Sequence, residues 1–363
     1  MMHKRFSFRD LDWLLFFAAL ALAGVGVVEI YSTTMHTALA GQYKKQIDWV
    51  LLGAFLALIV SQIDYHLIFD HIAGLYLLTL LGLIGLLLFA HPVAGARRWL
   101  EIGGLTFQVS EMAKLVIIIC VAAYFAGRKS KSVGWKDLIA LCLLAGIPAA
   151  LIALEPDLGT ALTLFPAIGA AVFLAGIRFR KVILIGLAVL LMLPVGWQLL
   201  RPYQRERLLT FVHPSQDTRG SSYQVTQSKI AIGSGGLWGK GIGNGTQSRL
   251  GFIPVSHADF IFAAFAEEQG FIGTLVVLLL YFILLIRLLD GAQFAGDRAG
   301  AFFIVGLTAV LFFQVAVNVG MMIGFLPIAG IPLPLMSQGG SSVLFTFAGL
   351  GLALSIRKRR FVN

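Results

Sequence analysis

The sequence predicts an all-α polytopic membrane protein. It reads as a single transmembrane domain over residues 1–363, with about ten transmembrane helices and one long extracytoplasmic loop, about 200–262, between spans 7 and 8. Three observations predict this. The chain is 58% hydrophobic and only 13% charged, where a soluble domain carries roughly 25% charged residues. Its apolar residues fall in continuous runs near the ~20 residues that cross a ~30 Å hydrocarbon core, not in the alternating segments of about ten that build a membrane β-barrel. Its polar residues gather in one long stretch, 201–260, among otherwise short connections.

The basic start (Lys4, Arg5, Arg9) runs into an apolar stretch long enough to span, which predicts an uncleaved first helix over 13–30. Further spans are predicted at 47–63, 72–91, 112–127, 138–154, 158–176 and 182–199. After the long loop come 263–287, 301–325 and 341–356. With both termini cytoplasmic, Arg128–Lys136, Arg178–Lys181 and Arg357–Arg360 lie inside, as the positive-inside rule requires. The net charge of +10 is then a topology signal and calls for no nucleic acid. The loop 201–260 is basic yet falls outside, so its charge needs another reason. Cys120 and Cys142 sit in apolar runs and fit neither a disulfide framework nor a metal-ligand spacing.

In this topology the outer face collects both signs of charge from four connections, as a site would. Glu111 and Lys114, three apart, share a helix face. They form either a structural pair or the lining of a cavity, since charge at membrane depth faces the bundle interior. Asp157, in the turn Glu155-Pro156-Asp157-Leu158-Gly159, is either a helix cap or a cavity carboxylate able to bind a divalent cation. Arg97, Arg98, Arg205 and Arg207 suit a phosphate-bearing ligand or membrane lipid headgroups, and Trp99 suits the interface.

The glycine run Gly233–Gly245 has neither the P-loop nor the GxGxxG spacing. Its glycines are expected to let a compact loop fold back over the cavity mouth. Residues 223–232 are expected to form a short helix on the membrane surface. Asp259 stands where the polar loop meets an apolar helix. Its spacing favours an N-cap, and it is also a candidate base, because desolvation raises a carboxyl pKa. His257 is the rival base. Glu267 or Glu268 could support either. Gln314 and Asn318, one turn apart, are candidates for a helix–helix contact.

Seven stretches together resemble the SEDS family (shape, elongation, division and sporulation) of peptidoglycan glycosyltransferases. They are Gly95–Trp99, Ser110–Lys114, Glu155–Gly159, Tyr203–Arg205, Gln227–Gly236, His257–Phe262 and Gly330–Ser342, in the family's order over nearly the whole chain. Gln227–Gly236 and Gly245–Ser248 look like the elongation type more than the division type. Two positions depart from the family pattern: Ala258 replaces the usual threonine, and Gln338 stands where an aromatic is common.

The resemblance implies a ten-span fold in the bacterial cytoplasmic membrane that polymerises lipid II on the outer face. Asp259 would be the general base, deprotonating the acceptor's 4-hydroxyl for inverting attack with loss of undecaprenyl pyrophosphate. Glu111, Lys114 and Asp157 would line the cavity with His257 and Ser337, and the arginines would steady the pyrophosphate. The resemblance is compatible with a divalent cation, Mg or Mn. The partners it implies are lipid II and undecaprenyl-linked glycan, a class B penicillin-binding protein acting as transpeptidase, and elongation-complex membrane proteins. The alternative is a lipid II flippase, and a third reading is a scaffold without chemistry.

Overall fold

The computed structural model describes residues 11–90, 98–102, 105–128, 132–212, 220–253 and 256–359. Two helices open the chain. In α1 (Trp13–Thr34) the Asp12 carboxylate accepts from Leu15 N at 3.3 Å, capping an end whose first amides have no helical partner. Next comes α2 (Gln42–Val60), which starts earlier than the predicted span 47–63 and takes in Lys44, Lys45 and Asp48. A single turn, α3 (Tyr65–Asp70), leads into α4 (Ile72–Phe89).

Between α4 and the next span lies an antiparallel pair of short strands that the apolar pattern gave no reason to expect. These are β1 (Leu100–Ile102) and β2 (Leu105–Phe107), in the register Leu100↔Phe107. Then come α5 (Val109–Ala126) and α6 (Trp135–Leu154).

The predicted span 158–176 is two pieces, α7 (Leu158–Leu162) and α8 (Phe165–Leu174). The break falls just before Pro166, which has no N–H for a continuous ladder and favours a helix start. α9 (Phe179–Leu199) follows, and none of its described residues is buried in the protein. The long connection contains α10 (Pro202–Val212), α11 (Ser221–Ser234) and the single turn α12 (Thr246–Arg249). The last spans are α13 (Ile261–Gln293), α14 (Arg298–Met322) and α15 (Gly340–Lys358).

Eight helices among the described residues are long and apolar enough to cross a membrane. The other two predicted spans are present as α2, with its three charges, and as the broken pair α7–α8. The centre of the bundle is α5 packed on α14, α15 and α8, with Phe125, Phe303 and Phe347 fully buried. At one end Arg287 Nη2 pairs with Asp12 at 2.9 Å, and Arg357 also pairs with Asp12. The start and the end of the described chain are therefore on the same side.

The glycine run has an unexpected seat. α13 is broken at Gly270, where φ is +66° and ψ is −165°. The backbone groups freed there bond to the loop. Lys240 N and Gly241 N donate to Glu267 O and Glu268 O at 3.1 and 2.9 Å. Phe271 N and Ile272 N donate to Gly236 O and Leu237 O at 2.9 and 3.1 Å. Two helical bonds are thus exchanged for four bonds to the loop, so no carbonyl is stranded in an apolar setting.

The exchange needs close backbone approach. A Cβ on Gly239 (φ +80°) would sit 2.1 Å from Glu268 O. The loop therefore packs on α13 and not over the cavity mouth. Similarly α11 is docked on the bundle, with Ser228 Oγ donating to Met322 O at 2.9 Å, and is not free on the membrane surface. Gly239→Ala is expected to cost more than about 1–2 kcal/mol, from left-handed strain plus the collision, and to lower Tm in detergent. Gly74→Ala, with nothing within 4 Å, is the matched control and should not lower it.

Candidate active site

A cavity of about 990 Å³ opens at the end of the bundle opposite Asp12. It is lined by Arg98, Asp157, Arg201, Tyr203, Arg207 and Asp259, together with the backbone of 327–330. Three segments build its polar wall. The turn 155–157 brings Asp157, which does both things the sequence allowed. It caps α7, accepting from Thr160 N at 3.1 Å, and it lines the cavity with Arg98 Nη1 at 3.7 Å. Arg98 Nε donates to Glu155 O at 2.8 Å, and Tyr203 Oη to Pro156 O at 3.1 Å, which fixes the turn from both sides. α10 brings Tyr203 and Arg207, with Arg201 just before it; the Arg207 guanidinium lies 5.9 Å from the Tyr203 ring.

The third segment carries Asp259. It is not a helix cap: the N-cap of α13 is Phe260, with no side-chain cap bond. Its main chain is instead stitched to the segment 331–338. Asn318 Nδ2 donates to Asp259 O at 2.9 Å and to Ile331 O at 2.8 Å. Ser337 Oγ donates to Ala258 O at 2.7 Å, and Gln338 N to His257 O at 3.0 Å. The backbone is held and the carboxylate is left facing the cavity, accepting no hydrogen bond among the described residues. Burial pushes its pKa up; Asp157 adds to the rise, while Arg207 and Arg98 oppose it.

The FtsW/RodA/SpoVE family, described as cell cycle proteins, matches residues 12–361. This chain belongs to that family. The peptidoglycan glycosyltransferase MrdB of Escherichia coli K12 is 37% identical over 354 residues, 96% of this chain and 94% of that one. RodA of Treponema pallidum is 31% identical, covering 97% of this chain and 98% of its own length. One solved chain, from a peptidoglycan synthase complex that coordinates polymerisation and crosslinking, superposes with a TM-score of 0.83 at 32% identity. It covers 97% of this chain and 99% of that one. Thermus thermophilus RodA superposes with a TM-score of 0.72 at 30% identity, covering 97% of this chain and 98% of that one.

Within this family fold the other expected site residues divide. Glu111 and Lys114 do pair, at 2.7 Å and almost fully buried. They line a separate small cavity of about 30 Å³ with Gln314 and Thr346, and not the cavity of Asp259. Arg205 points away from the cavity and donates to Gln198 O at 2.7 Å. Trp99, His257 and Ser337 are not among the lining residues. Ser337 is a backbone clamp, and burial lowers the His257 pKa. Arg97 lies outside the described residues.

Glu267 and Glu268 face the glycine loop and α1. Glu267 accepts from Lys240 Nζ at 2.6 Å and Glu268 from Ser32 Oγ. Among the described residues no group of three or more His, Cys, Asp or Glu side chains is placed to hold a metal.

The sequence reading missed Arg201, Tyr203 and Glu155 as site residues, and it gave Asn318 to a helix contact. The Glu155 side chain is 1% exposed, and neither carboxylate oxygen has a partner among the described residues. Burial first, and Asp157 second, push its pKa up to about 8. The native state then holds a proton that the unfolded chain releases near the ordinary carboxylate range. Stability therefore falls as pH rises from that range through about 8. Glu155→Gln is expected to remove that fall, measured as Tm against pH from 5 to 9. For the buried pair, Lys114→Met alone should cost about 3–5 kcal/mol by stranding Glu111. Adding Glu111→Gln should recover most of the loss in thermal unfolding.

Proposed function

We propose that this chain polymerises lipid II into glycan strands during cell elongation, with Asp259 as the general base. The observation that carries this is a carboxylate spared from capping and held by its backbone. It faces a cavity whose other charges are three arginines and Asp157. Its raised pKa brings it nearer the working pH, which strengthens it as a base. Asp259 takes the proton from the acceptor sugar's 4-hydroxyl, and the oxygen attacks the anomeric carbon of the growing chain. The carbon–oxygen bond to the diphosphate breaks with inversion, and undecaprenyl pyrophosphate leaves. Arg98, Arg201 and Arg207 steady the leaving charge.

The cavity end is the extracytoplasmic one, with both termini cytoplasmic. The opposite end carries Arg128, Arg178, Arg180, Lys181, Arg298, Arg357 and Lys358, as the positive-inside rule asks. The partner is a class B penicillin-binding protein that crosslinks the strands, alongside elongation-complex membrane proteins. The membrane is the bacterial cytoplasmic membrane.

Purified protein with its transpeptidase and lipid II in detergent should yield glycan polymer. Asp259→Asn should cut the rate by about 10²–10⁴-fold, whereas His257→Gln should retain polymer. In the wild type the rate should rise as pH climbs through the elevated Asp259 pKa, because only the ionised carboxylate accepts the proton. Lipid II transport in sealed vesicles without polymer would replace this reading with a flippase. Loss of turnover in His257→Gln alone would move the base.

A further inference from the structure

We infer that a second cleft, between α10 and α11, binds a phosphate group of the other lipid-linked substrate. It would do so while the cavity at Asp259 holds the first. The cleft is lined by Arg207, Thr210, Ser222, Thr226 and Lys229, with Phe211, Val225, Pro327 and Ile328 as its apolar side. This assignment rests on the polymerase reading, in which both reactants carry a diphosphate and must be present together.

The first cavity is poorly charged for two such groups. Arg98, Arg201 and Arg207 against Asp157 and Asp259 leave one net positive charge, three minus two. The second cleft has cations and hydroxyls and no Asp or Glu among its lining residues. Two cations facing one space repel until an anion enters. The Thr226 hydroxyl gives it a further donor. The first turn of α11, at Ser222, adds the positive end of a helix of 14 residues.

The position of Lys229 is built. Ser228 ties α11 to Met322 O, and the lysine stem lies over Gly324, where φ is +77°. A Cβ added at Gly324 would lie 2.1 Å from Lys229 Cε and 2.3 Å from Nζ. The free space is about 70 Å³, room for about five waters at ~10–15 Å³ each, the scale of one phosphate group. Arg207, Pro327 and Ile328 line both spaces. A single guanidinium therefore stands between the two anions, and the apolar side of the cleft suits the start of a polyprenyl chain. Membrane phospholipid shares this chemistry, so the test separates the two sources.

Farnesyl diphosphate titrated into the full-length protein in detergent should bind at two equivalents in the wild type and at one in Lys229→Glu. In polymerisation assays Lys229→Ala should raise the half-saturating lipid II concentration about tenfold, the scale of one lost charge-assisted contact. Lys229→Arg should recover most of that affinity. Equal stoichiometry in Lys229→Glu, or unchanged half-saturation in Lys229→Ala, overturns the assignment. Displacement of the second equivalent by phosphatidylglycerol bicelles also overturns it, giving the cleft to membrane lipid. A wild type that makes no polymer but loses one equivalent on Lys229→Glu would sink the polymerase reading and leave the anion site standing.

Discussion

Every backbone amide and carbonyl in an apolar bundle needs a partner, and α13 cannot supply its own at Gly270. The loop 236–241 does so, through four main-chain bonds to residues 267, 268, 271 and 272. Much of the polar end depends on that exchange. It anchors the loop that follows α11, and α11 in turn packs against α10. α10 then presents Tyr203 and Arg207 to the cavity, with Arg201 just before it. The same break also isolates a short helical segment, 261–269, whose entry carries Asp259. Glu267 and Glu268, which follow the base at helical spacing, are spent on this joint through Lys240, Thr246 and Ser32.

From the other side Asp259 is held by main-chain contacts alone. Asn318, Ser337 and Gln338 bond the carbonyls or amides of 257–259 and 331–338. None of them touches the carboxylate. Fixing the backbone while leaving the side chain unpaired keeps a base positioned without neutralising it, and partial burial then raises its proton affinity. Arg98 and Arg207 limit that rise, so one set of guanidiniums tempers the base and faces the anionic reactant. Glu155, in the turn beside the cavity wall, is buried with both carboxylate oxygens unpartnered among the described residues, and Arg98 alone offsets its burial.

Much of this was legible in the sequence, because the strongest signals were one-dimensional. Long apolar runs gave the spans, and Asp259, Asp157, Arg98 and Arg207 fell where polar loops met apolar helices. The failures were failures of geometry. Residues 201–207 lie in the long polar connection, where composition alone assigns no helix face. With Pro202 as a helix start, a 3.6-residue period puts Gln204, Arg207 and Leu208 on one side and turns Arg205 away, as found. Pro166 could have flagged the break between α7 and α8. The exchange at Gly270 could not have been found, since its two halves are about thirty residues apart and neither carries a side-chain signal. Spacing alone favours Asp259 as a cap, and the choice between cap and base depends on the carboxylate's direction and so on the Asn318 contact across 59 residues.

Glu111 and Lys114 look like site residues by composition, yet their cavity is separate from that of Asp259. The link between the two is α14. Gln314 lines the small cavity beside the ion pair, and Asn318, one turn later on the same helix, bonds Asp259 O. The pair lies within α5 and faces α14 across the small cavity, and removing either charge leaves the other unsolvated there. Relaxation of α14 around a stranded charge would carry Asn318 with it and shift the main chain of the base, where a displacement of about 1 Å is enough to cost ~10²-fold in rate. The pair can therefore matter to chemistry without meeting substrate, through the register of a single rigid helix.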